Sequence, residues 1–146
     1  MKNVIIMVGL LLAGFSCALL AGLNNARAGQ LAIALVFGFT ALGHFIKQDE
    51  MMAMLPPALP ARRAAVLLSG VLELMFAVGI LYPPWTRAAG IAICVFLVLV
   101  TPVNIYSAVK RVNFGGHGAG PSYLWVRIPL QVLLIAWTYW FAVRGD

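Results

Sequence analysis

The chain has 146 residues, of which 63% are hydrophobic and 10% charged, and its mean hydropathy is +0.98. Soluble domains average about 45–50% apolar and about 25% charged, so a water-facing globular enzyme, a disordered chain and a disulfide-stapled secreted module are excluded. Ten Lys and Arg against four Asp and Glu give a formal +6. The basic residues are scattered between apolar runs, which argues against nucleic acid and fits short basic loops beside membrane helices.

Five apolar runs follow one another: Val4–Leu23, Leu31–Ile46, Ala64–Tyr82, Ala88–Ala108 and Tyr123–Val143. Four of them have the length, about 20 residues, that crosses roughly 30 Å of hydrocarbon as a helix. Leu31–Ile46 is shorter and spans if Gln30 and Lys47 reach the interfaces. Strand-type alternation is absent, so the predicted fold class is an all-α transmembrane helical bundle in contact with the lipid bilayer, with four core helices plus one N-terminal helix.

The first run, in segment 1–29, resembles a signal peptide, with Lys2 before it and an A-x-A pattern at Ala26-Arg27-Ala28. It is longer than a signal core of about 7–15 residues, so a retained helix is the preferred reading. Gly14, Ala18 and Gly22 form a ridge of small residues suited to close helix contact, within the chain or with another membrane protein or a second copy. Cys17 and Cys94 each lie inside an apolar run and read as small hydrophobes.

The segment between the second and third runs carries Met51, Met52 and Met54. Beside His44 these methionines raise a soft-metal reading. An amphipathic segment lying on the membrane is the simpler one, and no metal site is assigned. Pro83-Pro84 joins the third and fourth runs, and the glycine-rich stretch Gly115–Gly120 around His117 reads as a solvated loop. Trp125, Trp137, Tyr139 and Trp140 read as interface anchors and packing. With five spans, Lys2, Lys47, Arg62, Arg63, Lys110 and Arg111 fall on one side, against Arg27, Arg87 and Arg144 on the other. The excess places the N-terminus in the cytoplasm and the C-terminus outside.

The informative residues are the polar ones at membrane depth, because each is costly to bury without a partner. At about 1.5 Å per residue, Arg127 and Asn104 lie roughly 6 Å inside their spans, Gln131 about 12 Å and Glu73 about 14 Å. His44 sits two residues from the end of its run, where capping or snorkelling is its expected role. All five fall in the cytoplasmic half, from four different helices. Glu73 and Arg127 are the formal charges well inside the helices, and pairing them, directly or through Gln131, is the simplest resolution. Pro102 and Pro129 disturb two of these helices, which points to a cavity rather than a dry seam. Glue between helices is the competing reading.

Gly43-His44-Phe45, Met54-Leu55-Pro56-Pro57 with Leu59-Pro60, Ser69-Gly70-Val71 with Glu73, Thr101-Pro102 with Asn104-Ile105-Tyr106, and Leu124-Trp125 with Arg127-Ile128-Pro129-Leu130-Gln131 occur in this order. The order resembles the DoxX-like family of small membrane proteins, over about residues 30–143. The resemblance implies a four-helix unit over 30–146 and kinship with subunits of thiosulfate:quinone oxidoreductases. It also implies recurring positions at His44, Glu73, Asn104, Arg127 and Gln131. The expected function is an accessory component of membrane redox metabolism. Its polar pocket would bind a quinone-like head group, with His44, Asn104 or Arg127 donating to the carbonyls and Glu73 accepting a proton. The alternative is an assembly or structural partner of another membrane protein.

Overall fold

The computed structural model describes residues 1–144. It is an all-α bundle with the order α1 (Lys2–Leu20), α2 (Asn25–Ile46), a short α3 (Gln48–Ala53), α4 (Arg62–Leu81), α5 (Thr86–Val109) and α6 (Leu124–Thr138), the last continued by a π-helical turn over Tyr139–Val143. Five of these helices are long and apolar enough to cross a membrane. Large apolar side chains point outward along them, such as Leu68, Val78 and Leu99. Such a surface is stable against lipid rather than water, and the protein is a multi-pass membrane bundle.

α2 is the central element and packs against α1 on one side and α4 on the other, while α5 packs against α4 and α6. Its helix is longer than the apolar run suggested. Asn24 accepts a hydrogen bond from the Arg27 amide at 2.8 Å and so starts the helix at Asn25, drawing the polar stretch Asn25–Gln30 into its first turns. Ala26-Arg27-Ala28 is therefore helical here.

The ridge on α1 is spent inside the molecule. Gly14 faces Ala32 and Leu35 of α2, and Ala18 is buried. Gly22 lies beyond the helix at φ +88, in the turn to α2, a conformation that glycine adopts without strain. Of the contacts expected of this ridge, Gly14 and Ala18 make the one within the chain.

The bundle end away from the polar cluster is tied by side chains to backbone carbonyls. Gln30 Nε2 donates to the Phe141 carbonyl at 2.9 Å, within the π-helical turn where the regular ladder is interrupted. Trp137 Nε1 donates to the Gly29 carbonyl at 3.0 Å and its ring packs on Phe15 and Phe141, so Trp137 is a packing residue. Trp125, Tyr139 and Trp140 are exposed, in keeping with anchoring. At Gly29 a Cβ would overlap the Phe141 ring. Gly29→Ala is expected to cost about 1–3 kcal/mol by overpacking. A thermal melt of the purified variant checks this, and an unchanged Tm would show that Phe141 moves aside freely.

Candidate functional site

A cavity of about 560 Å³ lies at the end of the bundle where α2 and α5 finish and α4 and α6 begin. His44 of α2, Glu73 of α4, Asn104 of α5 and Arg127 of α6 all line it. Helix geometry explains the meeting. α2 and α5 run one way and α4 and α6 the other, so His44 and Asn104 late in the first pair come near Arg127 early in α6, with Glu73 reaching in from midway along α4. Apolar side chains make up the rest of the wall, among them Met7, Phe39, Phe96 and Val103. Phe96 also belongs to an aromatic triad with Phe37 and Phe76, whose ring centroids are 5.5–6.4 Å apart. Leu42 and Ile46 line the cavity and are themselves exposed, so its rim is apolar on the outer face of α2.

Glu73 does not pair with Arg127. Its Oε1 lies 3.4 Å from His44 Nε2. The expectation failed because His44 was assigned to the interface, although it turns inward from α2 to meet α4. Gly70 allows this approach, since a Cβ there would stand 2.6 Å from His44 Cβ. His44 Nδ1 is 2.9 Å from the Val66 carbonyl, which only accepts, so Nδ1 carries a proton. Nε2 then faces the carboxyl, and the two form an ion pair when the imidazole holds a second proton. Glu73 Oε2 is buried with no partner among the described residues.

Arg127 donates from Nη1 to Met7 Sδ at 3.9 Å, a weak acceptor, and its Nε is buried without a partner. Asn104 Nδ2 donates to the Val100 carbonyl at 3.2 Å within its own helix. That leaves Asn104 Oδ1 without a protein hydrogen bond among the described residues. Gln131 departs from the expected set. It is buried, donates to the Leu97 carbonyl of α5 and is not among the residues of the cavity wall. That bond ties α6 to α5 beside Pro102, where Thr101 Oγ1 also donates to the Leu97 carbonyl at 2.9 Å.

Three contributors were not selected from sequence. Met7 brings α1 to the wall, and Tyr123 and His117 close it from the loop before α6. The expected solvated His117 is instead 4% exposed and packs edge-on against Tyr123, with centroids 4.8 Å apart. Its Nδ1 lies 2.8 Å from the Phe114 carbonyl. Left-handed backbone at Gly115, Gly116 and Gly120 folds the loop inward and seats the ring. At Gly116 a Cβ would stand 2.5 Å from the Tyr123 ring, so only glycine lets the loop lie this close. Glycine spacing was the available signal, and it also suits a mobile loop. Met51 and Met54 line the cavity too, so the methionine segment contributes to the wall as well as capping the bundle.

Burial, and to a lesser degree the positive charge of Arg127, holds the His117 imidazole below its ordinary pKa, against the pull of the Phe114 carbonyl. The folded state therefore prefers neutral His117. Its contribution is fully present above the unfolded value near 6.5 and is lost as pH falls from there through the lower folded value. Thermal melts of the wild type should lose stability over that acid window more steeply than melts of His117→Gln. Parallel curves would contradict the buried, neutral placement.

A multi-pass membrane bundle with a largely apolar cavity that carries a few polar side chains is thus the class of protein defined here. The chain belongs to the family described as "Domain of unknown function (DUF8561)", which matches residues 33–142. Comparison with curated proteins gave no match, and comparison with solved structures gave none.

Proposed function

We propose that this protein holds the polar head of a quinone-like amphiphile in the cavity and serves as an accessory component of membrane redox metabolism. One observation carries the reading. Polar side chains from four helices line a single cavity whose remaining wall and rim are apolar. Binding pockets for small molecules combine a largely apolar lining with a few placed polar groups. Such a pocket suits a ligand with a flat polar head and an aliphatic body entering past Leu42 and Ile46. In this reading Arg127 and the His44–Glu73 pair address the head, and the Glu73 carboxyl exchanges a proton with it. The ordered motifs that resemble the DoxX-like family support the redox context. The distribution of Lys and Arg supports an N-terminus on the cytoplasmic side and a C-terminus outside, which places the cavity in the inner leaflet.

The test is mass spectrometry of lipids extracted from the purified protein, followed by titration of a tailed quinone into protein held in nanodiscs. A co-purifying quinone and saturable binding are expected. Uptake no greater than that of empty nanodiscs would remove the proposal.

A further inference from the structure

We infer that the amphiphile held in this cavity carries a single negative charge on its head, spread over oxygen atoms that accept from Arg127. This rests on reading the cavity as an amphiphile site and adds the charge of the occupant.

The cavity wall carries one cation that no other group of the wall offsets. The titratable groups of its wall are His44, Lys47, Glu73, His117, Tyr123 and Arg127. Lys47 stands exposed and is already paired with Glu50 at 3.3 Å. The Glu73 carboxyl faces His44 rather than Arg127, and with Nδ1 protonated toward the Val66 carbonyl the pair sums to zero once one further proton is on either group. His117 donates its Nδ1 proton to the Phe114 carbonyl and is buried beside Tyr123, where a second proton would add an unpaired charge. Arg127 remains. Among the described residues no carboxylate lies within ion-pair distance of it, and its one hydrogen bond goes to the Met7 sulfur. Its Nη2 has no bond within the protein and is not among the closed-off atoms.

A cation in an apolar enclosure is expensive unless it is paired. The guanidinium fork matches a planar, two-oxygen anion. Two kinds of amphiphile supply that head: a long-chain carboxylate, or a quinone bearing an ionised ring hydroxyl. Both have the apolar body that the wall accepts.

The experiment titrates four probes at pH 8 into the full-length protein in phosphatidylcholine nanodiscs. They are a sixteen-carbon carboxylate, its methyl ester, a tailed hydroxyquinone and its methyl ether. Each acid is expected to bind about tenfold or more tighter than its neutral ether or ester, the worth of a charge-assisted hydrogen bond. Arg127→Met should lose that preference, and Arg127→Lys should keep part of it. Preference confined to one acid supports the inference and names the source. Equal binding of acid and neutral probe overturns it and leaves the amphiphile reading standing. No binding of any probe above empty nanodiscs removes both. Should Arg127→Met not fold, the acid-to-neutral comparison on the wild type decides alone.

Discussion

Glu73→Lys should abolish accumulation of the folded protein, while Glu73→Gln should accumulate at close to the wild-type level. Glu73 is 7% exposed and meets His44 across the α2–α4 seam. Lysine would remove the acceptor facing His44 and place a second cation in an enclosure that already holds Arg127. Breaking a buried pair in this way costs about 3–5 kcal/mol, a large part of any domain's stability. Glutamine keeps the shape and still hydrogen-bonds to His44 Nε2, so its cost is that of one altered hydrogen bond, about 1 kcal/mol. Membrane yield and size-exclusion profiles of the two variants check the contrast. Equal yields would mean that the pair does not hold α2 to α4.

Arg127→Met should make the empty protein more stable. A half-buried guanidinium without a carboxylate partner is a net cost to the fold, and an apolar side chain of similar length fills much of the same volume and keeps contact with Met7. Replacing a buried ion pair by well-packed apolar residues gains about 1–4 kcal/mol, and the half-buried Arg127 should gain at the low end of that range, about 1 kcal/mol. The melting temperature of the variant in detergent should therefore rise, while its binding of anionic amphiphiles is lost. A fall in Tm would show that Arg127 is paired within the protein, which would undercut the charge count.

The bundle and its membrane character were legible in the sequence, because spans of apolar residues have no other stable solution in lipid. Convergence of His44, Glu73, Asn104 and Arg127 was legible for a related reason. Each is placed by its distance along a helix, and a helix converts sequence position into depth at a fixed rise. Pairing was less legible. Depth gives the level of a residue but not its azimuth, so Glu73 and Arg127 looked like partners although the face of α2 brings His44 to the carboxyl first. Gln131 shows the same limit, since it shares the cavity's side of the bundle yet is spent on the Leu97 carbonyl of α5. His117 lies outside any apolar run, and Tyr123 stands at the very start of the fifth. Their burial depends on glycines with left-handed backbone, and glycine at such positions reads in sequence as a free loop. The helix boundary at Asn25 was missed because a cap, rather than hydropathy, sets it.

The occupant of the cavity is the most direct test. An experimental structure of the protein with a brominated, anionic, long-chain amphiphile would locate the head by density and the chain by the bromine's anomalous signal. The head is expected beside Arg127 and Asn104, with the bromine against Phe96 or toward Leu42. Bromine found only on the outer, lipid-facing surface, with Arg127 contacting protein groups alone, would contradict it.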